Sequence, residues 1–204
     1  MWYPAKVKTP GPSEPVAADA ARRQCGLAAD DASHDGQLNL LIGAARAHIE
    51  KYCGIRLPVQ ILTVPCDGFF DLARVPEAPV KSVVEIRYVD GEGAAQVVAP
   101  AVYQLRPDGL RPSIALVHGK RWPSLQPGAR VEVELSVGYD SIPKDLEAAL
   151  LLMVGAQFGF ARSDLLKRRE DVEGIGSTQW GGIVEVNNAV KSMVETLLEN
   201  YRCW

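Results

Sequence analysis

The chain has 204 residues, 47% of them apolar, and its 22 Lys and Arg stand against 25 Asp and Glu for a net charge of −3. That length fits one domain with extensions, and the apolar fraction is enough for a real core, which excludes wholesale disorder. The slightly acidic balance argues against a protein that coats nucleic acid through a broad basic face, while leaving room for an acidic surface past which DNA slides.

The first 15 residues carry Pro4, Pro10, Pro12 and Pro15 and are expected to run as an extended arm, with neither a helix nor a central strand. A short Ala-rich helix is predicted over Val16–Leu27, with Ser13 or Glu14 leading to Pro15 at the first helical position and Gly26 near the end. Ala28–Gly36 reads as a polar connector in which Ser33 or Asp35 can cap the second helix. Over Gln37–Cys53, one apolar stripe gathers Leu38, Leu41, Ile42, Ala45, Ile49 and Tyr52, with Arg46, Glu50 and Lys51 off it. Gly54 stands where a left-handed C-terminal cap is wanted.

From Leu57 to about Tyr139 the period changes to two. Short strands are predicted at Gln60–Cys66, Val80–Asp90, Ala95–Val98, Val102–Arg106, Ile114–Val117 and Arg130–Val137. In the last of these, Val131, Val133, Leu135 and Val137 alternate with Glu132, Glu134 and Ser136, the pattern of a sheet with one wet face. Asp90-Gly91 and Asp108-Gly109 mark turns, the first a hairpin.

Helix returns at Pro143, where Leu146, Ala149, Leu150, Met153, Val154 and Phe158 form a stripe and Asp145 and Glu147 complement the helix start. Ser163–Gly182 is polar and glycine-dotted and is expected to be a long loop. A last helix is expected over about Asn187–Tyr201, with Val190, Met193, Val194, Leu197, Leu198 and Tyr201 on one face. There are no internal repeats, and the fold class is α+β: about four helices forming the main core, with a small antiparallel sheet inserted between the second and third. The expected layout is one domain over 1–204, divided into an arm (1–15), helices (16–56), a β-rich insertion (57–139), a helix (143–161), a loop (163–182) and a final helix with its tail (187–204).

The search for chemistry turns up little. Cys25, Cys53, Cys66 and Cys203 lie far apart, without C-x-x-C or zinc-finger spacing, and are too sparse for a disulfide-stapled secreted scaffold. No stretch of the N-terminus reads as a signal peptide, and no apolar run reaches the roughly 20 residues of a membrane span. His34, His48 and His118 join no nucleophile, base or metal constellation, and nothing resembles H-E-x-x-H, G-x-S-x-G or a Walker loop. Asp30, Asp31 and Asp35 lack the spacing of a calcium loop. No catalytic residue, cofactor or metal is therefore assigned.

What remains is surface. Lys167, Arg168 and Arg169 form the only basic run, either a solvated loop or a contact for an acidic partner surface or a nucleic-acid backbone. Trp180 lies between a glutamine and two glycines, where an aromatic is costly to expose. Tyr201, Arg202 and Trp204 close the chain, and such aromatics either collapse onto their own domain or anchor into another subunit.

The order of segments resembles the tailed-phage head–tail connector (adaptor) family, also found in phage-derived gene transfer agents. The similarity is carried by KTPGPSEPVAADAARRQCGL, by LLIGAARAHIEKYCGIRL, where Ala44-Ala45-Arg46, Glu50, Tyr52, Gly54 and Leu57 fit the family pattern, and then by APVKSVVEIRYVDGEGAAQVV, VYQL, RWP, VEVELSVGY, IPKDLEAALLLMVGAQF and TLLENYR. These landmarks span nearly the whole chain, though none is diagnostic alone. The LLKRREDVEGIGSTQWGG loop and the closing Arg202-Cys203-Trp204 depart from the family.

The resemblance implies a structural virion protein without a reaction. It implies a ring of this chain, usually twelve subunits, beneath a portal protein and bridging to a stopper or tail protein in the neck of the particle. DNA would pass through the lumen without specific binding, no membrane would be involved, and synthesis would be in the bacterial cytoplasm. Within that frame the partner-interface candidates are Lys167, Arg168, Arg169, Trp180, Tyr201, Arg202 and Trp204. The alternatives are another virion connector, such as a stopper or tail terminator, and a small soluble enzyme with an unfamiliar site.

Overall fold

A computed structural model describes residues 1–162, 169–172, 176–179 and 183–203, with side chains described for 1–161 and 188–203. The fold is α+β, with four α-helices and mainly antiparallel strands. The chain forms two compact units: one holds Met1–Ser13, Glu50–Ile142 and Tyr201–Trp204, the other Glu14–Ile49 and Pro143–Asn200.

In the helical unit, α1 (Ala18–Gln24) is shorter than the predicted Val16–Leu27. Its N-cap is Ala17, without a side-chain cap. Glu14, ahead of the helix, binds Arg46 at 2.7 Å. Helix α2 (Asp35–Cys53) begins two residues early, and Asp35 pairs with Arg22 at 2.8 Å. Of its stripe, Leu38, Ile42, Ala45 and Ile49 are fully buried, while Leu41 and Tyr52 are half-buried. Helix α3 (Lys144–Arg162) buries Leu146, Ala149, Leu150, Val154 and Phe158 and packs against α1 and against α4 (Ile183–Leu198). Helix α4 buries Val194 and Leu198, but Met193, expected on the same stripe, is exposed.

The other unit is a five-stranded sheet in the order β1-β2-β7-β3-β4. These strands are β1 (Lys6–Thr9), β2 (Gln60–Cys66), β3 (Val80–Val89), β4 (Ala95–Val97) and β7 (Val131–Val137). β5 (Tyr103–Arg106) and β6 (Ser113–Leu116) make a separate hairpin. All the ladders are antiparallel. The strands between α2 and α3 sit within two residues of their predicted ends, because turn chemistry punctuates them. At the β3–β4 hairpin the Asp90 carboxylate accepts the N–H groups of Glu92 and Ala94.

This sheet carries its own core. Leu62, Val64, Ile86, Ile114, Val131, Val133 and Leu135 are all at most 2% exposed, and each such side chain contributes roughly 1.5–3 kcal/mol on leaving water. Phe69 stacks on Trp122 at 4.9 Å and meets Tyr88 edge-on. Gly138, just past β7, has φ +104, and a Cβ there would lie 2.2 Å from the Pro58 carbonyl oxygen. Only glycine fits that crossing.

The N-terminal arm is extended as predicted, and within it Lys6–Thr9 pairs with β2 as an edge strand, not a central one. Two expectations need correction. Period two fails within β3, where register shifts fall between Val80 and Ser82 and between Val83 and Glu85. Each bulge admits an extra residue, which puts Val84 on the surface at 46% exposure. The second concerns Ser163–Gly182, which is not loop throughout: β8 (Arg169–Val172) and β9 (Gly176–Gln179) pair as an antiparallel ladder.

Candidate functional site

Three surfaces of the described residues are held rigid by their own chemistry. Among the described residues, no group of three or more His, Cys, Asp or Glu is placed to hold a metal ion, and no helix is long and apolar enough to cross a membrane.

The first such surface is the face of the sheet. Glu134, expected on the wet face, is 1% exposed. Lys8 reaches across from β1 and donates to both carboxylate oxygens at 2.7 Å, and Arg87 from β3 donates at 2.6 Å. Burial alone would hinder ionisation of Glu134, but the two cations outweigh it and hold the carboxyl below its ordinary range. Arg87 also meets Glu85 at 2.8 Å and Glu132 at 3.4 Å. The register sets Glu85 opposite Glu134, a like-charge pair that would repel without Arg87 between them. Lys8 and Arg87 are thus occupied by carboxylates. No local pattern signals this arrangement, because Lys8 lies 126 residues from Glu134.

A second surface is built by the first residues. The Trp2 indole donates to the carbonyls of Arg74 at 2.7 Å and Asp71 at 3.2 Å, and the Tyr3 hydroxyl donates to Asp67 at 2.8 Å. The Met1 ammonium pairs with Asp71 at 2.7 Å, and Arg130 lies 3.7 Å above the Tyr3 ring. Beside them Phe70, on the short 3-10 turn Phe69–Ala73, is 73% exposed. Trp2 and Tyr3 are satisfied by their own unit, while the apolar side chains of Phe70 and Met1 are offered outward.

The third surface is the chain's last described turn. Glu50, predicted off the apolar stripe, is buried and accepts the Leu57 N–H at 2.9 Å, which fixes the exit of α2. Gly54 caps that helix at φ +71. Against this exit the Cys203 N–H donates to the Cys53 carbonyl at 2.8 Å, and its thiol donates to the Leu110 carbonyl at 3.4 Å. The Arg202 guanidinium lies 4.9 Å from the centre of the Tyr52 ring. Burial pushes the Tyr139 hydroxyl up to about 12, with Tyr201, Cys203 and Cys53 adding to it.

Of the candidates read from the sequence, the structure brings together Tyr201 and Arg202, the former half-buried and the latter exposed. Arg169 begins β8, but its side chain is outside the described residues, as are Lys167, Arg168, Trp180 and Trp204 altogether.

Residues 19–95 match the phage gp6-like head-tail connector protein family. The matched span runs through α1, α2, β2 and β3 to the first residue of β4, less than half of the chain. Solved structures extend the likeness. A chain in the neck of an empty gene transfer agent (GTA) particle, computed with C6 symmetry, superposes with a TM-score of 0.71 at 24% identity, covering 99% of this chain and 96% of that one. A chain in the virion of a native GTA particle gives 0.70 at 24%, covering 98% and 95%. A chain in the neck of a native GTA particle, computed with C12 symmetry, gives 0.66 at 24%, covering 99% and 96%. Comparison with the curated proteins finds no match. The resemblance to the head–tail connector family read from the sequence is therefore borne out, and the neck chains share this fold nearly end to end.

Proposed function

We propose that this chain is a structural head–tail connector subunit, an adaptor in the neck of a phage or phage-like particle. The observation that carries this reading is the fold shared across 99% of the chain with a neck subunit, joined to the connector-family match over residues 19–95. No reaction is assigned. The two compact units act as one adaptor domain, and copies of the chain form a ring, twelve subunits in number, between the portal and a stopper or tail protein.

Ring closure requires heterologous contacts, one face of a subunit meeting a different face of the next. The charged sheet face and the Phe70 tip are two non-identical surfaces of one unit that meet this need. The lumen passes DNA without holding it. Support comes from the net charge of −3 and from Lys8 and Arg87, which already face carboxylates. Each phosphate contact would add salt-dependent affinity and slow passage. Tyr201, Arg202 and Trp204 form one partner contact, with Lys167, Arg168, Arg169 and Trp180 forming a second; the backbone bond from Cys203 to Cys53 holds the described part of the first, Tyr201 and Arg202, at the α2 exit.

The test is genetic. Particles produced without this chain should have filled heads and no attached tails, and complementation in trans should restore tails. Tailed, infective or gene-transferring particles made in its absence would refute the reading.

A further inference from the structure

The geometry points to a redox latch: Cys53 at the end of α2 and Cys203 near the end of the chain are placed to form an intramolecular disulfide that locks the last turn onto the α2 exit. This goes beyond the connector reading and does not depend on it.

The distance argument uses covalent geometry alone. With the Cys203 N–H donating to the Cys53 carbonyl at 2.8 Å, standard bond lengths cap the separation of the two Cα atoms at about 6.7 Å. Disulfides span Cα separations of about 4.4–6.8 Å. The neighbour of Cys53 is Gly54, and a Cβ built on it would lie 3.5 Å from the Cys203 Cβ, so the last turn seats directly on the helix terminus. Both thiols are free in this structure. The Cys203 thiol is parked on the Leu110 carbonyl at 3.4 Å, so bridging needs it to leave that acceptor and turn toward Cys53. Cys66 is fully buried and donates to the Gly68 carbonyl at 3.5 Å.

Accessibility sets the order of events. Cys53 is 1% exposed, whereas Cys203 is half-buried, so Cys203 is the thiol a reagent reaches first. With a small-molecule disulfide as oxidant, the Cys203 thiolate attacks one of its sulfurs and expels one thiol, giving a mixed disulfide. The Cys53 thiolate then attacks the Cys203 sulfur, the protein S–S bond forms and a second thiol leaves. The protein loses two protons and two electrons, and the oxidant becomes two thiols. Burial raises both thiols, Cys53 to about 11, so the latch closes slowly at neutral pH and faster in alkali.

The experiment treats the folded full-length chain with oxidised glutathione at alkaline pH and reads intact mass and a peptide map. The expected result is a mass loss of about 2 Da, two fewer titratable thiols and a single cross-linked peptide joining Cys53 to Cys203. Cys53→Ser should stop at the glutathione adduct on Cys203, and Cys203→Ser should show no bridge. Amide exchange at the last turn should slow at least about tenfold in the oxidised protein, since local opening is what exposes it. Accumulation of the Cys203 adduct in the wild-type chain, a bridge to Cys25 or Cys66, or retention of all four thiols would each overturn the inference.

Discussion

Glu134 offers the sharpest physical test of the sheet. Its carboxylate is 1% exposed and accepts from Lys8 and Arg87, while the side chains of those cations are 49% and 39% exposed. Glu134→Gln removes the charge but keeps the shape and one acceptor oxygen. Charge-assisted hydrogen bonds are worth about 1.5–3 kcal/mol each, and stripping one partner from a deeply buried pair costs about 3–5 kcal/mol. Here the half-exposed cations regain water, so the loss at neutral pH should be about 2 kcal/mol. That corresponds to a fall in melting temperature of about 4–8 °C for a chain of this size. The pH dependence fixes the cause. A carboxyl held below its ordinary value of 4.5 contributes stability that is present above that value and disappears as pH falls through the depressed one. The gap between wild type and Glu134→Gln should therefore narrow as the pH falls below 4.5. Urea unfolding followed through the fluorescence of Trp122, stacked in the same unit, measures both. A loss that is unchanged between pH 7 and pH 3, or one below about 0.5 kcal/mol at pH 7, would refute the reasoning.

Three further substitutions probe the backbone, the helical core and the last turn. Gly138→Ala should cost at least about 3 kcal/mol or abolish folding, because φ is +104 and the new methyl would meet the Pro58 carbonyl; a soluble variant of wild-type melting temperature would contradict this. Leu150→Ala in α3 should cost about 2–5 kcal/mol, read by chemical denaturation with an unchanged m value. Arg202→Ala should change intrinsic stability by no more than about 1 kcal/mol, since Arg202 is exposed, yet weaken portal binding at least about tenfold, as measured by surface-immobilised portal titration.

The local chemistry of the fold was legible in the sequence. Leu38, Ile42, Ala45 and Ile49 repeat at helical spacing and are buried together, and Asp90-Gly91 turns β3 back on β4 as its residue types demand. What was hidden is non-local. Glu134 alternates correctly for a wet face, and only Lys8, arriving on an edge strand from the far end of the chain, makes it interior. Glu50 lies off its helical stripe yet is buried, because the chain turns back so that Leu57 donates to it. The bulges in β3 leave no mark in composition, and the approach of Cys203 to Cys53 joins residues that no local pattern links. Of the interface candidates, sequence reasoning named Tyr201 and Arg202, but the bond that holds the turn after them comes from Cys53 at the end of α2.

The central claim is that the chain assembles as a ring in the particle neck on contact with the portal. The most direct measurement is the mass of the purified protein by native mass spectrometry or light scattering, alone and with the portal of its own particle. The account predicts a stoichiometric complex in which twelve copies sit on one portal ring, since subunit contacts too small to overcome rigid-body entropy alone are sufficient on a template. A protein that keeps the same mass with and without the portal would contradict it.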